Sequence, residues 1–322
     1  RETQDTGCIM KQGSESIDSD PNQIAMNTAT EQKLDRGGVI AALAAFTFWG
    51  LVPIYYKGLY TVGAWEVLAH RVIWSVPLLI LFLAIRDGKQ FLKRLRLPLS
   101  SIAWLVVSGV VVSINWVVFV WAVAHDHVLD TSLGYFTTPL ITGVLGYLIL
   151  KERLSTLQVI AVSVAAAGTV YLSWFLGKPP WIALTLAVSF GIYGLVRKRL
   201  DVGAMLGLLW ETALMFLPAM AYLIWLSANS GQQFLNASIG IDLLLIGSSL
   251  VTVLPLIWFN MAAQKLPLSI LGFFQYLAPS MSFMIAVFLY GEEFTAGHAV
   301  AFMCIWLALA LVSIEPFQRA RK

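Results

Sequence analysis

Charge is scarce in this chain. Of 322 residues only 12% are Asp, Glu, Lys or Arg, while 58% are hydrophobic and the mean hydropathy is +0.77. Soluble domains carry about 25% charged and about 45–50% apolar residues. So little polar surface cannot cover a globule in water, which excludes a soluble fold. Cysteine is nearly missing as well: Cys8 and Cys304 make neither a disulfide framework nor a metal site. The chain has no Walker A pattern, no G-x-G-x-x-G turn and no C-x-x-C, so it carries no sequence signal for hydrolysing a nucleotide, and no cofactor is called for.

The charge that is present sits unevenly. Residues 1–36 hold four basic and seven acidic groups (net −3), and the remainder holds seventeen and eleven (net +6). The opening stretch is polar, without hydrophobic periodicity, and reads as a disordered cytoplasmic tail. Nothing before Met26 has an apolar face to bury, which makes Met26 a candidate true start. The apolar stretch 37–56 is longer than a signal-peptide core and lacks a small-residue cleavage pattern, so it reads as a retained span.

A spanning helix needs about 20 mostly apolar residues. Cutting the chain at its charges, prolines and glycines predicts ten spans: 38–56, 64–85, 102–124, 132–150, 155–175, 181–196, 205–227, 241–263, 269–290 and 296–314. The expected fold class is an all-α integral membrane protein, with the bilayer as its first partner. With the tail inside, sixteen Lys and Arg fall in inner segments, or eighteen with Arg1 and Lys11. Only Lys57 and Lys178 fall in outer loops, and Arg71 lies within a span. That bias predicts both termini inside and accounts for the basic pI without nucleic acid.

The two halves resemble each other. Span four reads Leu133-Gly134-Tyr135-Phe136, then Pro139, then Glu152; span nine reads Leu271-Gly272-Phe273-Phe274, then Pro279, then Glu292. Thirteen residues separate Pro from Glu in both, but span nine carries two extra residues before its proline. Phe48-Trp49-Gly50 is echoed by Ile192-Tyr193-Gly194, and Pro77 by Pro218. Five is odd, so a duplicated five-span unit must enter the membrane from opposite sides. Lys151 and Arg153 flank Glu152, whereas Gly291-Glu292-Glu293 has no basic neighbour, as opposite orientation requires. The expected organisation is a tail (1–36), two inverted repeats (37–175 and 180–314) and a basic end (315–322). Inverted repeats place a binding site near the midplane at their interface.

Several strings carry a resemblance to a known family: 48–53 (FWGLVP), 70–75 (HRVIWS), 132–136 (SLGYF), 194–198 (GLVRK) and 271–276 (LGFFQY). Through them residues 36–314 resemble the EamA-type members of the drug/metabolite transporter superfamily, and within it the chloramphenicol-resistance permeases. The resemblance implies ten helices in two inverted repeats, a small-molecule substrate and a bacterial inner-membrane location.

Ionisable groups inside a span are costly and are functional candidates by default. Glu66, His70 and Arg71 lie in span two and Glu211 in span seven; the offset of 141 that matches Pro77 to Pro218 also matches His70 to Glu211. His70 and Glu211 are candidate proton carriers or gates, because a histidine titrates near neutral pH and a desolvated glutamate can be raised towards it. The plainer reading has Glu66 and Glu211 neutralising cations such as Arg71. For Arg71 itself, a helix clamp and an anion seat stand side by side. Asn115, Asn260, Gln275, Thr137 and Thr138 can bond between helices or to a solute. Trp49, Trp116, Tyr135, Tyr193 and Tyr276 sit mid-span and together would make a stacking box, with plain packing as the alternative. Pro139 and Pro279 should kink their spans. Gly203-x-x-x-Gly207 and the small-residue run 161–169 suggest close helix contacts.

Three function classes compete. The first is a secondary transporter of a small neutral or zwitterionic organic solute, working by alternating access with protons as coupling ion; the resemblance alone brings chloramphenicol forward as a solute, and a homodimer is compatible with it. The second is a membrane-embedded enzyme acting on lipid-linked groups, which would have to use His125, Asp126, His127 and Asp130. The third is a non-transporting subunit, which leaves His70 and Glu211 without a purpose.

Overall fold

The computed structural model describes residues 35–319 apart from 89, 152, 153 and 230. The tail with Met26 and Cys8, Glu152 of the repeat register, Lys89 and Arg153 of the charge pattern, and residues 320–322 of the basic end lie outside the described residues.

Among the described residues ten helices are long and apolar enough to cross a membrane. They are α1 (Arg36–Lys57), α2 (Ala64–Asp87), α3 (Leu99–Ala124), α4 (Val128–Leu150) and α5 (Thr156–Leu176) in the first half. The second half holds α6 (Trp181–Arg199), α7 (Ala204–Ala228), α8 (Ile239–Lys265), the broken α9 (268–289) and α10 (Ala296–Arg319). Local chemistry sets several boundaries. Ser155 and Gln158 form a reciprocal capping box that starts α5, and Gly177, at φ 67°, ends it in the left-handed conformation that glycine adopts without strain.

The neighbours obey an exchange rule. α1 packs on α8 and α9, and α6 on α3 and α4; α2 packs on α8, and α7 on α3. Three pairs are their own partners under the exchange: α2 with α7, α4 with α9, and α5 with α10. Swapping α1–α5 for α6–α10 therefore returns these larger contacts.

Connections alternate between two ends. At one end, here the near end, Gly38 at the start of α1 lies against Lys265 and Leu266 at the end of α8. At the far end Lys57 pairs with Asp126, and Glu66 accepts the backbone N–H groups of Gln233 and Phe234 at 2.8 and 3.0 Å. Glu292 there accepts those of Val128 and Leu129, both at 2.7 Å.

Span nine departs from a single helix. It consists of Leu268–Phe274, Leu277–Met284 and a π-helical turn Ile285–Leu289. The two residues at the break, Gln275 and Tyr276, fill the place of the two extra residues seen in the sequence. Pro279 lacks an N–H, so the carbonyl of Gln275 one turn earlier has no helical donor, and the break falls there. Pro139 has no such effect; α4 runs through it unbroken.

Small residues set the closest approaches. A Cβ on Gly134 would come within 2.8 Å of the Ala183 carbonyl oxygen, so α4 meets α6 backbone to backbone. A Cβ on Gly168 would come within 2.6 Å of the Cys304 Cβ, and with buried Ala161 and Ala165 it seats α5 on α10. The Gly203–Gly207 pair does something other than pack helices. Gly203 is the N-cap of α7, and Gly207 leaves room for the Arg197 guanidinium.

Candidate functional site

A cleft too tight to admit a water molecule runs between α2, α3 and α7, lined by Val72, Gly109, Val112, Ser113, Trp116, Glu211, Thr212 and Met215. Drug-sized ligands occupy about 300–1,000 Å³. A solute of that size requires the helices to part.

Glu211 closes one end of the cleft. It is 1% exposed and accepts a short hydrogen bond from the Ser108 hydroxyl of α3. The Tyr193 hydroxyl of α6 donates to its other oxygen at 3.4 Å, and Arg197 Nη1 lies 3.6 Å away. Arg197 also donates through Nη2 to the carbonyls of Val202 and Gly203. The cation beside Glu211 is thus Arg197, which the sequence offered as a topology charge and within the 194–198 string, not as a partner of Glu211.

Trp116 marks the other end. It lies eight residues beyond Ser108 on α3, about 12 Å of helix rise. The Arg71 guanidinium of α2 lies 3.9 Å from the centroid of its ring and 5.9 Å from that of Tyr56. Arg71 Nε donates to Thr252 Oγ1 of α8 at 2.6 Å. No carboxylate pairs with Arg71 among the described residues. Glu66, the expected partner, spends itself on the far-end backbone, and Glu211 on Arg197.

Asn115 belongs to a third group. Its Nδ2 donates to the Leu186 carbonyl at 3.0 Å and to Ser189 Oγ at 2.9 Å, while its Oδ1 accepts from the Tyr135 hydroxyl at 3.1 Å. This ties α3, α4 and α6 together and uses the side chain fully. His70 stands apart: its Nδ1 accepts from Trp74 Nε1 at 3.3 Å, and its ring lies 4.5 Å from that of Phe234 in the α7–α8 connection. Its buried Nε2 has no hydrogen-bond partner among the described residues.

The five mid-span aromatics do not form one box. Tyr135 and Tyr193 both touch Phe190, but Trp49 packs on Phe46 and Phe259, and Tyr276 stacks on Phe136. Gln275 is exposed at the helix break. Thr137, Thr138 and Asn260 bond back to their own helices, at Leu133, Gly134 and Leu256. The cluster an enzyme would have to use is engaged locally. His127 pairs with Asp130 at 3.1 Å, Asp126 with Lys57, and His125 stacks on Trp121.

Tyr56, Ser108, Ser132, Ser189, Thr252 and Arg197 were missed as site residues. Serines and threonines are common in apolar spans, and only the partner across the interface singles these out. Ser132, for example, donates to the Pro279 carbonyl at 2.8 Å and so links α4 to the broken α9.

Comparison with known proteins gives this arrangement its family. Residues 36–174 match the model of the EamA-like transporter family. An uncharacterized transporter of Vibrio cholerae is 42% identical over 88% of this chain and 94% of its own. The protein RarD of Escherichia coli is 41% identical over 91% of this chain and 99% of its own. A solved crystal structure at 17% identity superposes with a TM-score of 0.56 over 86% of this chain and 97% of that one, a likeness of fold. Identity of this order over nearly the full length of both chains makes the protein a member of the EamA-like transporter family, a multi-pass membrane transporter of the RarD type.

Proposed function

We propose that the protein is a secondary active transporter of a small organic solute, working by alternating access and driven by protons, in the bacterial inner membrane with both termini cytoplasmic. Glu211 carries this reading. It is a buried carboxylate inside a span, held by groups from two other helices and open to the cleft between α2, α3 and α7. Ionisable groups at such depth are costly and mark ion and substrate paths. α2 and α7 exchange with each other under the repeat rule, so the cleft lies where the halves meet and where inverted-repeat carriers bind and rock. The Lys and Arg bias supports a cytoplasmic near end. The carboxylate-to-backbone contacts of Glu66 and Glu292 join the two halves at the far end, and support a conformation closed there. His70, against the α7–α8 connection, supplies the second titratable group on that side.

The test uses sealed proteoliposomes of the full chain with a pH-sensitive dye inside. The solutes offered are those whose pools differ between deletion and overexpressing cells. Wild type should move protons with solute. Glu211→Gln should lose proton-driven flux yet still exchange solute for solute, because a binding site persists when the coupling group cannot ionise. Unchanged proton-coupled flux in Glu211→Gln would remove Glu211 from the mechanism.

A further inference from the structure

Arg71 is a buried cation that no carboxylate meets among the described residues. It is 8% exposed, and a guanidinium cannot shed its charge by losing a proton in a protein. Burying an uncompensated charge costs several kcal/mol. The carboxylates that might have met it are committed elsewhere: Glu66 to Gln233 and Phe234, Glu211 to Ser108 and Tyr193, and Asp242 to the Leu235 N–H at 2.7 Å. The ionisable groups that do face Arg71 are the phenols of Tyr56 and Tyr135.

The guanidinium is held as a binding group would be. Thr252 takes the Nε edge, and Trp116 supports one face by cation–π contact. The Nη edge makes no bond as close as that of Nε among the described residues, and the side-chain group it faces is the Tyr56 hydroxyl. A planar fork whose Nη edge meets only a neutral phenol matches a carboxylate, which accepts two parallel N–H bonds. The ring of Trp116, which lines the cleft, offers the adjoining surface to a flat apolar body. A single guanidinium without a second cation beside it does not suit a polyphosphate.

We propose that Arg71 is the seat of a carboxylate, and that the solute is an organic monocarboxylate, free or part of a zwitterion, lying with its apolar body against Trp116. This rests on the transporter reading and narrows its cargo. A helix clamp, the competing role for Arg71, would hold α2 to α8 and α3 without distinguishing an acid from its amide.

The experiment measures binding to the full chain in nanodiscs by calorimetry, using two matched pairs: benzoate with benzamide, and 3-phenylpropionate with 3-phenylpropionamide. In wild type the acids should bind at least tenfold tighter than the amides. Arg71→Gln should erase that preference. Arg71→Lys, which keeps the charge and loses the fork, should reduce it several-fold, and Thr252→Val should reduce it less. If Arg71→Gln does not fold, the wild-type comparison and the other two variants still decide. Acids that bind no tighter than amides, no binding by either, or an acid preference that survives every substitution would overturn the seat. Counterflow of labelled benzoate in sealed liposomes separates the two readings. Arg71-dependent acid binding without counterflow leaves the seat standing and removes transport. Transport indifferent to acid or amide does the reverse.

Discussion

Glu292 reaches from the α9–α10 connection to the first turn of α4, where one carboxylate oxygen accepts the Val128 N–H at 2.7 Å. The other oxygen takes the Leu129 N–H, so a carboxylate from one half caps a helix of the other at its positive end. Burial pushes the Glu292 carboxyl above its usual value of 4.5, and the two backbone N–H bonds offset this only in part.

The sign of the resulting pH dependence follows. A carboxyl raised on folding stabilises the fold most fully below its unfolded value and loses that contribution as pH rises through the folded value. Glu292→Gln keeps an acceptor and cannot ionise. Its melting temperature relative to wild type should therefore climb from pH 4.5 to pH 7. A difference that stays flat or falls over that range would show that ionisation of Glu292 does not weigh on the fold. Glu292→Ala, which leaves the two N–H groups uncapped, should cost about 1 kcal/mol at any pH in that range.

Asn115 makes three interhelical hydrogen bonds while buried. Interhelical bonds in membranes average about 0.6 kcal/mol each, so Asn115→Leu should destabilise the protein by about 2 kcal/mol in reversible unfolding in mixed micelles. A loss no greater than that of Leu→Ala at exposed Leu217 would leave the knot without energetic weight.

Gly134→Ala should be costly and Gly143→Ala nearly neutral. A Cβ at 134 meets backbone atoms of Ala183 at 2.8 and 3.0 Å, whereas at 143 no packing neighbour among the described residues lies within 4 Å. Overpacking of this kind costs about 1–3 kcal/mol. Equal melting temperatures for the two variants would mean that α4 and α6 separate without penalty.

Orientation is open to labelling. Single cysteines at exposed Lys178 and Arg94, in a background without Cys8 and Cys304, sit at opposite ends of the bundle. An impermeant thiol reagent should label intact cells at 178 only. Labelling at 94 instead would invert the topology.

Much of the fold was legible in the sequence because the bilayer imposes one simple demand, a stretch of apolar residues long enough to cross it. The predicted span bounds fall within four residues of the helices at every end but the last. The repeated Leu-Gly-aromatic-Phe strings were legible in the sequence, and the extra pair in span nine falls at the break in that helix. Pro139, read like Pro279 as a kink, leaves its helix whole. Proline removes a donor, but whether the helix opens depends on what packs beside it.

The site was legible only as a set of candidates. Arg71 and Glu211 stand out as charges in apolar runs, and their burial follows from that position alone. Their partners do not. Glu211 meets Ser108, Tyr193 and Arg197, while Arg71 meets Thr252 and Trp116, across helices far apart in the chain. Composition, the crossing segments and the duplicated pattern were determined by sequence alone, since they depend on residues close along the chain. Which buried charge meets an opposite charge and which does not was decided only by tertiary structure, because it depends on which face of each helix turns towards its neighbour.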